Sequence, residues 1–310
     1  MSALNIPLLV VITGPTASGK TGLGVQLAKH YQSEVVSCDS RQFYRELAIG
    51  TAKPTPKEMD GVPHHFIDSL SIQDSYSVGD FEQQALTLLK ERFKQLNPIF
   101  LVGGSGLFIR ALCEGLDHFP AVDTQVRSDL NQIHAQHGLA PLLQELEASD
   151  PVYFQEVDQS NPQRVIRALE VIRSSGSTFS SFRTAGKTKR PFQHIKFVLD
   201  WDRAELYDRI NHRVELMFEQ GLVEEAESVF EFEALNALRT VGYQELFPYF
   251  KKEYSLARAK ELIQRNTRRY AKRQLTWFRK ESNTQFIPHE QAFERICETI
   301  DNWSDKHSLP

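Results

Sequence analysis

The chain has 310 residues, a formal net charge of −4 and 41% hydrophobic residues. This is the composition of an ordinary globular protein with one large or two smaller domains. The negative net charge argues against a nucleic-acid coat protein, whose whole surface is basic. No apolar run approaches the roughly 18 residues of a membrane span, so we expect no membrane partner. The cysteines at 38, 113 and 297 are too far apart for a C-x-x-C pattern, which disfavours a disulfide framework or zinc site and favours a cytoplasmic protein.

The first predicted element is a buried parallel strand over residues 8–12, a short apolar and β-branched run. The next residues match the pattern G-x-x-x-x-G-K-[ST] at every fixed position, and helical spacing of leucines follows over 22–31. Backbone N–H groups of such a loop and the helix N-terminus bind phosphate, although the pattern alone does not say whether the ligand is a nucleotide. The predicted phosphate-binding residues are Gly14, Pro15, Thr16, Ala17, Ser18, Gly19, Lys20 and Thr21.

Two polar residues follow the next predicted strands, over 34–38 and 98–102. Asp39 directly follows the first of these strands, and Ser105 lies in a glycine cluster after the second. Ligands of open α/β sheets bind beyond the carboxyl ends of the strands, so both side chains are expected near the phosphate loop. A turn or helix-capping aspartate and a simple glycine turn are the structural alternatives.

The histidine pair at 64–65 invites a metal hypothesis. Adjacent residues of an extended segment point to opposite faces, however, so they rarely bind one ion together. We therefore expect His64 and His65 to be strand or loop histidines rather than metal ligands.

The remaining chain predicts mainly helices. A helix is expected over 77–96, and the strand signal disappears between about 120 and 190, where Arg164 and Arg167 share one helix face. A basic link at 186–190, a strand over 195–199 and a helix over 202–219 follow, and the acidic helix face at 224–233 is expected to be solvated. The last long helix, over 256–280, carries seven basic residues and no acidic one in positions 265–280.

These elements predict an α/β fold with a P-loop-type open parallel sheet flanked by helices, a helical insertion and a helical C-terminal part. The predicted core comprises residues 1–119 and 191–310, and the predicted insertion comprises residues 120–190. Basic side chains interleaved with Tyr270, Trp277 and Phe278 are typical of a helix that binds a nucleic-acid backbone beside an unstacked base. A solvated basic face over a core-facing tryptophan is the alternative.

Eight motifs occur in a specific order along the chain. They are GPTASGKT at 14–21, DSRQ at 39–42, GTAKPT at 50–55, HHFID at 64–68, VGGSGL at 102–107, PQRVIRALEV at 162–171, VGYQE at 241–245 and RRYAKRQLTWFR at 268–279. From about Leu8 to Arg279, the chain resembles the tRNA dimethylallyltransferase (tRNA isopentenyltransferase) family. No zinc-finger pattern follows the last motif, so we expect a bacterial-type member.

The resemblance implies transfer of a dimethylallyl group from dimethylallyl diphosphate to the exocyclic N6 amine of the adenosine just 3′ of the anticodon, in tRNAs that read codons starting with U. The phosphate loop would then hold the diphosphate leaving group, with Lys20 stabilising its charge and Mg²⁺ at the Thr21 hydroxyl. Asp39 matches the general base. Ser105 stands where a threonine is usual and keeps the hydroxyl, whereas Phe108 replaces a common tyrosine. Ala48 replaces a frequent acidic residue, and we assign it no chemistry.

The resemblance also implies a tRNA-binding surface that takes up the anticodon stem-loop and an extruded base. We expect the protein to act as a monomer. The residues that match tRNA-contacting stretches are Asp39, Ser40, Arg41, Gln42, Ser105, Arg127, Gln163, Arg164, Val165, Ile166, Arg167, Arg239, Gly242, Tyr243, Gln244, Lys272, Arg273, Gln274, Trp277 and Arg279.

Three alternative functions remain open from the residues. A nucleoside or nucleotide kinase fits the phosphate loop but leaves the basic aromatic helix unexplained. An isopentenyltransferase acting on a free adenine nucleotide leaves that helix equally unused. A non-catalytic RNA-binding protein with a vestigial loop does not explain why Lys20, Thr21 and Asp39 are all intact.

Overall fold

The computed structural model describes residues 6–117, 119–183 and 188–307. The chain divides into two compact units, one formed by Met1–Glu114 with Lys189–Pro310 and the other by Gly115–Thr188. Of the basic link predicted at 186–190, positions 186 and 187 lie outside the described residues.

The first unit is built on a parallel six-stranded sheet, which confirms the predicted fold class. Every described strand pair in it is parallel, and the strand order is β3-β2-β4-β1-β5-β6. Strand β1 is central and all six of its residues are buried, as expected for a strand covered on both faces. The strands are β1 (Leu8–Thr13), β2 (Val35–Ser37), β3 (His64–His65), β4 (Ile99–Val102), β5 (Gln193–Asp200) and β6 (Thr284–Pro288).

Helices connect the strands and make up the second unit. Those of the first unit are α1 to α4 and α9 to α13, and α5 to α8 form the second unit. In chain order they are α1 (Lys20–His30), α2 (Pro56–Met59), α3 (Val78–Arg92), α4 (Gly106–Glu114), α5 (Thr124–His137), α6 (Ala140–Ser149), α7 (Pro151–Glu156), α8 (Pro162–Ser175), α9 (Arg203–Glu219), α10 (Leu222–Ser228), α11 (Tyr243–Phe250), α12 (Leu256–Lys280) and α13 (Ala292–His307). None of these described helices combines the length and apolar character needed to cross a membrane.

The two faces of the sheet bury different helices, because successive strand residues point to opposite sides. Leu8, Val10 and Ile12 of β1 belong to a core shared with α1 and α13. Leu9 and Val11 belong to a second core shared with α3, α4 and the end of α12. The sheet is thus held between helix layers, and the loops at its carboxyl edge are fixed from both sides.

A separate apolar core joins α9, α10, α11 and α12 within the first unit. Val214, Leu222, Leu246 and Ile263 meet there and pack against Leu47 from the loop after β2. The second unit has its own core, which α5, α6 and α8 supply through Leu130, Leu142, Leu146, Val165 and Leu169.

The prediction of a solvated acidic helix over 224–233 is wrong in its bounds and at Glu225, although Glu224, Glu227 and Glu231 are exposed as expected. Helix α10 ends at Ser228, and a short 3₁₀ turn, Phe230–Phe232, follows it. Glu225 is half-buried, and its carboxylate accepts hydrogen bonds from the backbone of residues 48–50. A charge pattern alone could not reveal this, because the partner residues lie about 175 positions away in the sequence.

Candidate active site

A cavity of about 1110 Å³ opens in the first unit beyond the carboxyl ends of β1, β2 and β4. This is the edge of a parallel sheet at which ligands are expected. Its walls come from the phosphate loop, the turn after β2, the loop 48–55, one face of α9, the segment 239–244 and the middle of α12.

The predicted phosphate loop closes on itself at the start of α1. Gly19 precedes the helix with a left-handed φ of 86°, a conformation that costs glycine nothing. The Lys20 ammonium group donates a hydrogen bond of 2.6 Å to the carbonyl oxygen of Pro15. Residues 16–22 line the cavity, so the N-terminus of α1 points its free N–H groups toward any bound anion.

Three cationic side chains surround this loop. Burial is the main cause that lowers the pKa of Lys20 to about 8, the Arg213 charge lowers it further, and Asp39 opposes the change. Burial and then the neighbouring Arg209 charge also lower the pKa of Arg213. Cations that destabilise one another in a cavity form a site that an anion of more than one charge would stabilise.

The sequence predicts a helix over 202–219, but the pattern assigns no role to Arg209 and Arg213 within it. The Arg209 side chain donates to the Ala17 carbonyl oxygen at 2.9 Å, and its guanidinium carbon lies 4.2 Å from the ring centre of Trp201. Trp201 in turn donates to the Ser18 carbonyl oxygen at 3.1 Å. The available signal was the i, i+4 spacing of the two arginines, which places both on one helix face.

The structure brings Asp39 and Ser105 to the same edge as Lys20. Asp39 follows β2, and one of its carboxylate oxygens accepts the backbone N–H of Arg41 at 3.1 Å. The backbone N–H of Ser40 donates to the Ser105 hydroxyl oxygen at 3.1 Å, so the turn after β2 and the turn after β4 support each other. Asp39 therefore also has the turn-forming role that was the structural alternative. The hydrogen bond from Arg41 orients the carboxylate and leaves further acceptor positions of its oxygens available.

Burial raises the pKa of the Asp39 carboxyl above its ordinary value, while the Arg41 N–H and the Lys20 charge act in the opposite direction. A carboxylate with a raised pKa is a stronger base, provided that it remains ionised. Asp39 thus combines partial burial, a fixed orientation and a neighbouring cation.

Arg41, Gln42 and Gln274, predicted to contact tRNA, make internal hydrogen bonds. Arg41 donates to the carbonyl oxygens of Asn236 at 2.8 Å and Ala237 at 3.1 Å. The Gln42 amide donates to two carbonyl oxygens of the 48–55 loop, and Gln274 connects the phosphate loop with the turn after β4. Gln274 is only 7% exposed. The oxygen and the NH₂ group of its amide each make one internal hydrogen bond, and the side chain has little exposed surface, so this arrangement does not support a tRNA contact through Gln274.

Burial also excludes side-chain contact at two other predicted tRNA-binding residues. Tyr243 in the first unit and Val165 in the second are both 0% exposed. Ile166, which was also predicted to contact tRNA, is 6% exposed and retains only a small accessible surface. A side chain without exposed surface cannot touch a macromolecule, so for Tyr243 and Val165 only the backbone stays in the predicted set. Around Tyr243, Arg239 and Gln244 are exposed at the cavity, whereas the glycine at 242 is buried.

The arginines of the second unit surround a buried carboxylate. Glu170 is 1% exposed and pairs with Arg167 at 3.0 Å and Arg127 at 3.5 Å. Gln163 and Arg164 lie exposed at the start of α8. The buried acid holds two guanidinium groups at the surface of this unit.

Helix α12 has an exposed basic face, as the sequence predicts. Arg269, Lys272, Arg273, Arg279 and Lys280 are all exposed on it. Trp277 is half-buried and packs on the glycine at 106, where an added Cβ would lie 2.2 Å from the indole nitrogen. The tryptophan therefore anchors α12 on the start of α4.

The metal prediction rests on Thr21, which is half-buried at the cavity beside Lys20. Within residues 6–117, 119–183 and 188–307, no group of three or more His, Cys, Asp or Glu side chains could hold a metal ion. A hydroxyl oxygen beside a phosphate site fits Mg²⁺, which usually takes only one or two protein ligands and completes its shell with phosphate and water. The histidine pair has separate partners: the His64 ring lies 2.8 Å from the Val62 carbonyl oxygen, and the His65 ring lies 2.6 Å from Glu34.

Comparison with known proteins identifies what the chain is similar to. A family model described as IPP transferase matches residues 42–281. The chain is 47% identical over 294 residues to a tRNA dimethylallyltransferase of Christiangramia forsetii, covering 95% of this chain and 97% of that protein.

Two solved structures are also similar. A tRNA isopentenylpyrophosphate transferase of Bacillus halodurans has a TM-score of 0.72 and 37% identity, covering 97% of both chains. A eukaryotic dimethylallyltransferase acting on tRNA has a TM-score of 0.79 at 22% identity, over 96% of this chain and 80% of that one. At that identity, the second likeness concerns the fold alone.

Proposed function

The chain belongs to the IPP transferase family, and on that premise we propose that it transfers a dimethylallyl group from dimethylallyl diphosphate to tRNA and releases diphosphate. The acceptor is the N6 amine of the adenosine 3′ of the anticodon. The observation that carries the proposal is a single cavity that combines a cationic phosphate loop with an oriented, partly buried carboxylate.

The cationic end of the cavity stabilises the leaving group. As the allylic C–O bond breaks, negative charge moves onto the diphosphate, and fixed N–H groups, Lys20 and Arg213 stabilise it there. Their unfavourable proximity in the free protein is relieved by the dianionic or trianionic ligand. Mg²⁺, held by the Thr21 hydroxyl and the phosphates, would supply further charge stabilisation to the same group.

Asp39 acts on the acceptor. The N6 nitrogen forms its bond to the allylic carbon while the C–O bond to the diphosphate breaks, and one amine proton passes to the Asp39 carboxylate. The raised pKa of Asp39 suits this step because it increases the affinity of the carboxylate for the proton. Ser105 supports the turn that carries Asp39 through its bond to the Ser40 backbone.

The tRNA is bound by exposed cations, and the target base leaves the anticodon stack to reach the cavity. The exposed face of α12 and Arg239 supply the charge in the first unit, and Arg127, Arg164 and Arg167 supply it in the second. We propose the anticodon stem-loop as the bound region and a monomer as the active form.

The proposal is tested with labelled dimethylallyl diphosphate, Mg²⁺ and unmodified tRNA, with AMP and ATP offered in parallel reactions. We expect label on tRNA, and loss of labelling when the adenosine 3′ of the anticodon is replaced by guanosine. Labelling of AMP without labelling of tRNA would favour a free-nucleotide acceptor. Phosphoryl transfer from ATP without any prenyl transfer would favour a kinase.

A further inference from the structure

One wall of the cavity, the loop over residues 48–52, is held by a carboxylate on α10. Glu225 Oε2 accepts the backbone N–H groups of Ala48 at 2.9 Å and Ile49 at 2.7 Å. Glu225 Oε1 accepts the N–H of Gly50 at 2.8 Å and the hydroxyl of Tyr243 at 2.6 Å. Four donors occupy the four acceptor positions of one carboxylate, and three of them are backbone N–H groups of this loop.

The loop is also packed tightly against Tyr243. A Cβ added at Gly50 would lie 2.7 Å from the tyrosine ring, so only glycine allows the backbone to come this close. Tyr243 itself begins α11, and the N–H of Gly242 before it donates to Glu245 at 2.8 Å. Glu245 accepts a second hydrogen bond, from Asn266 on α12, at 2.8 Å. Hydrogen bonds from α10, α11 and α12 therefore connect the residues beneath the loop.

The other end of the same loop is tied to the turn that carries Asp39. The Gln42 amide donates to the carbonyl oxygens of Thr51 and Ala52, both at 3.1 Å. The backbone N–H of Gln42 donates to the Asp39 carbonyl oxygen at 3.1 Å. A continuous series of hydrogen bonds thus runs from Glu225 through the loop and Gln42 to the turn of the general base.

We propose that Glu225 is a positioning residue for the transfer reaction, which it serves by holding the 48–52 loop and, through Gln42, the turn of Asp39. This inference rests on the proposed function, because it assigns Glu225 a part in the same transfer. Transfer to a weak aromatic amine depends on close alignment of base, nucleophile and allylic carbon, so a small displacement of the turn lowers the rate. Binding of the diphosphate is separate, since Lys20 and Arg213 make no hydrogen bond to this loop among the contacts of the described residues.

The test is Glu225→Gln, which preserves the shape of the side chain. An amide accepts on one side only, so at least two of the four donors then face an NH₂ group. We expect kcat for prenyl transfer to tRNA to fall about 10- to 100-fold, with the Kd of dimethylallyl diphosphate unchanged within about twofold. Glu227→Gln, at an exposed position of the same helix, is the matched control and keeps the wild-type kcat.

A second variant, Tyr243→Phe, keeps the ring against Gly50 and removes one donor to Glu225. We expect its kcat to fall about 3- to 10-fold, again at constant Kd for the diphosphate substrate. In the double variant, the two losses in kcat should combine to less than their product, because both act through one carboxylate. If Glu225→Gln does not fold, Tyr243→Phe decides the question by itself.

The inference is overturned by a wild-type kcat in Glu225→Gln, or in Tyr243→Phe where only that variant folds. It is equally overturned if kcat falls only in proportion to the unfolded fraction, measured by circular dichroism at the assay temperature, since that result indicates a purely structural role. Failure of the proposed function looks different, because the wild-type protein would then not prenylate tRNA in the same assay.

Discussion

Gln274 provides the sharpest test, because the sequence and the structure assign it different roles. Its side chain on α12 accepts the N–H of Thr16 at 2.9 Å and donates to the Gly104 carbonyl oxygen at 2.9 Å. We consider Gln274→Leu, which keeps a similar volume but leaves both backbone groups without their partner. The variant therefore removes the connection between the phosphate loop and the turn after β4.

The cost follows from where the two backbone groups lie. Gly104 is bonded in a buried position, and loss of a buried partner costs about 1 to 3 kcal/mol, whereas Thr16 is partly buried and can be rehydrated at about 0.5 to 1 kcal/mol. Together they predict a loss of about 1.5 to 4 kcal/mol in the free energy of unfolding. For a unit of this size, that corresponds to a Tm lower by about 3 to 16 °C.

Thermal unfolding, binding of dimethylallyl diphosphate and binding of tRNA are measured on the same preparation. We expect Gln274→Leu to lower Tm and weaken diphosphate binding, because Thr16 belongs to the phosphate loop, while the Kd for tRNA changes by less than about twofold. Glu261→Gln, at an exposed position near the start of the same helix, should leave all three within error. An unchanged Tm together with a large loss of tRNA affinity would refute this reasoning and restore Gln274 as a surface contact.

Three further predictions concern charge. Because the pKa of Lys20 is lowered to about 8, its ammonium group loses its proton above that pH. The Kd of dimethylallyl diphosphate should therefore rise by up to about tenfold per pH unit, and Lys20→Arg should abolish the rise. A Kd that stays constant up to about pH 9.5 contradicts this prediction. Asp39→Asn should lower kcat by about 10² to 10⁴ at nearly constant tRNA affinity. Since the Asp39 pKa is raised, wild-type kcat should decline on acidification from a higher pH than an ordinary aspartate would give, and unaltered turnover in the variant would remove Asp39 as the base. Replacing Lys272 and Arg279 by Gln should reduce the slope of log Kd against log salt concentration for tRNA binding by about 1 to 2. The control pair Lys90→Gln and Lys94→Gln, at exposed positions in and just after α3, should leave that slope unchanged. An equal slope for the two double variants would show that the α12 face is solvated and does not bind tRNA.

The sequence by itself determined the elements that depend on local patterns. The apolar run at 8–12 and the glycine-lysine pattern after it are adjacent in the chain, and both occur as predicted in β1 and the start of α1. Helix α12 has the bounds that periodicity predicts, Leu256–Lys280, because one amphipathic pattern continues unbroken through it. Strand β6 was not predicted, since a short, half-exposed edge strand carries little periodic signal.

Only the tertiary structure determined which groups each polar side chain contacts. Periodicity identifies a polar face on α9 and α10, but not that Arg213 faces the phosphate loop or that Glu225 binds the backbone of residues 48–50. Helical spacing places Gln274 on the inward side of α12, opposite the exposed Lys272, but it does not show which backbone groups the buried amide contacts. The physical reason is that hydrogen bonds and desolvation depend on partners that lie far away in the chain, and only the packed sheet and helices bring those partners together.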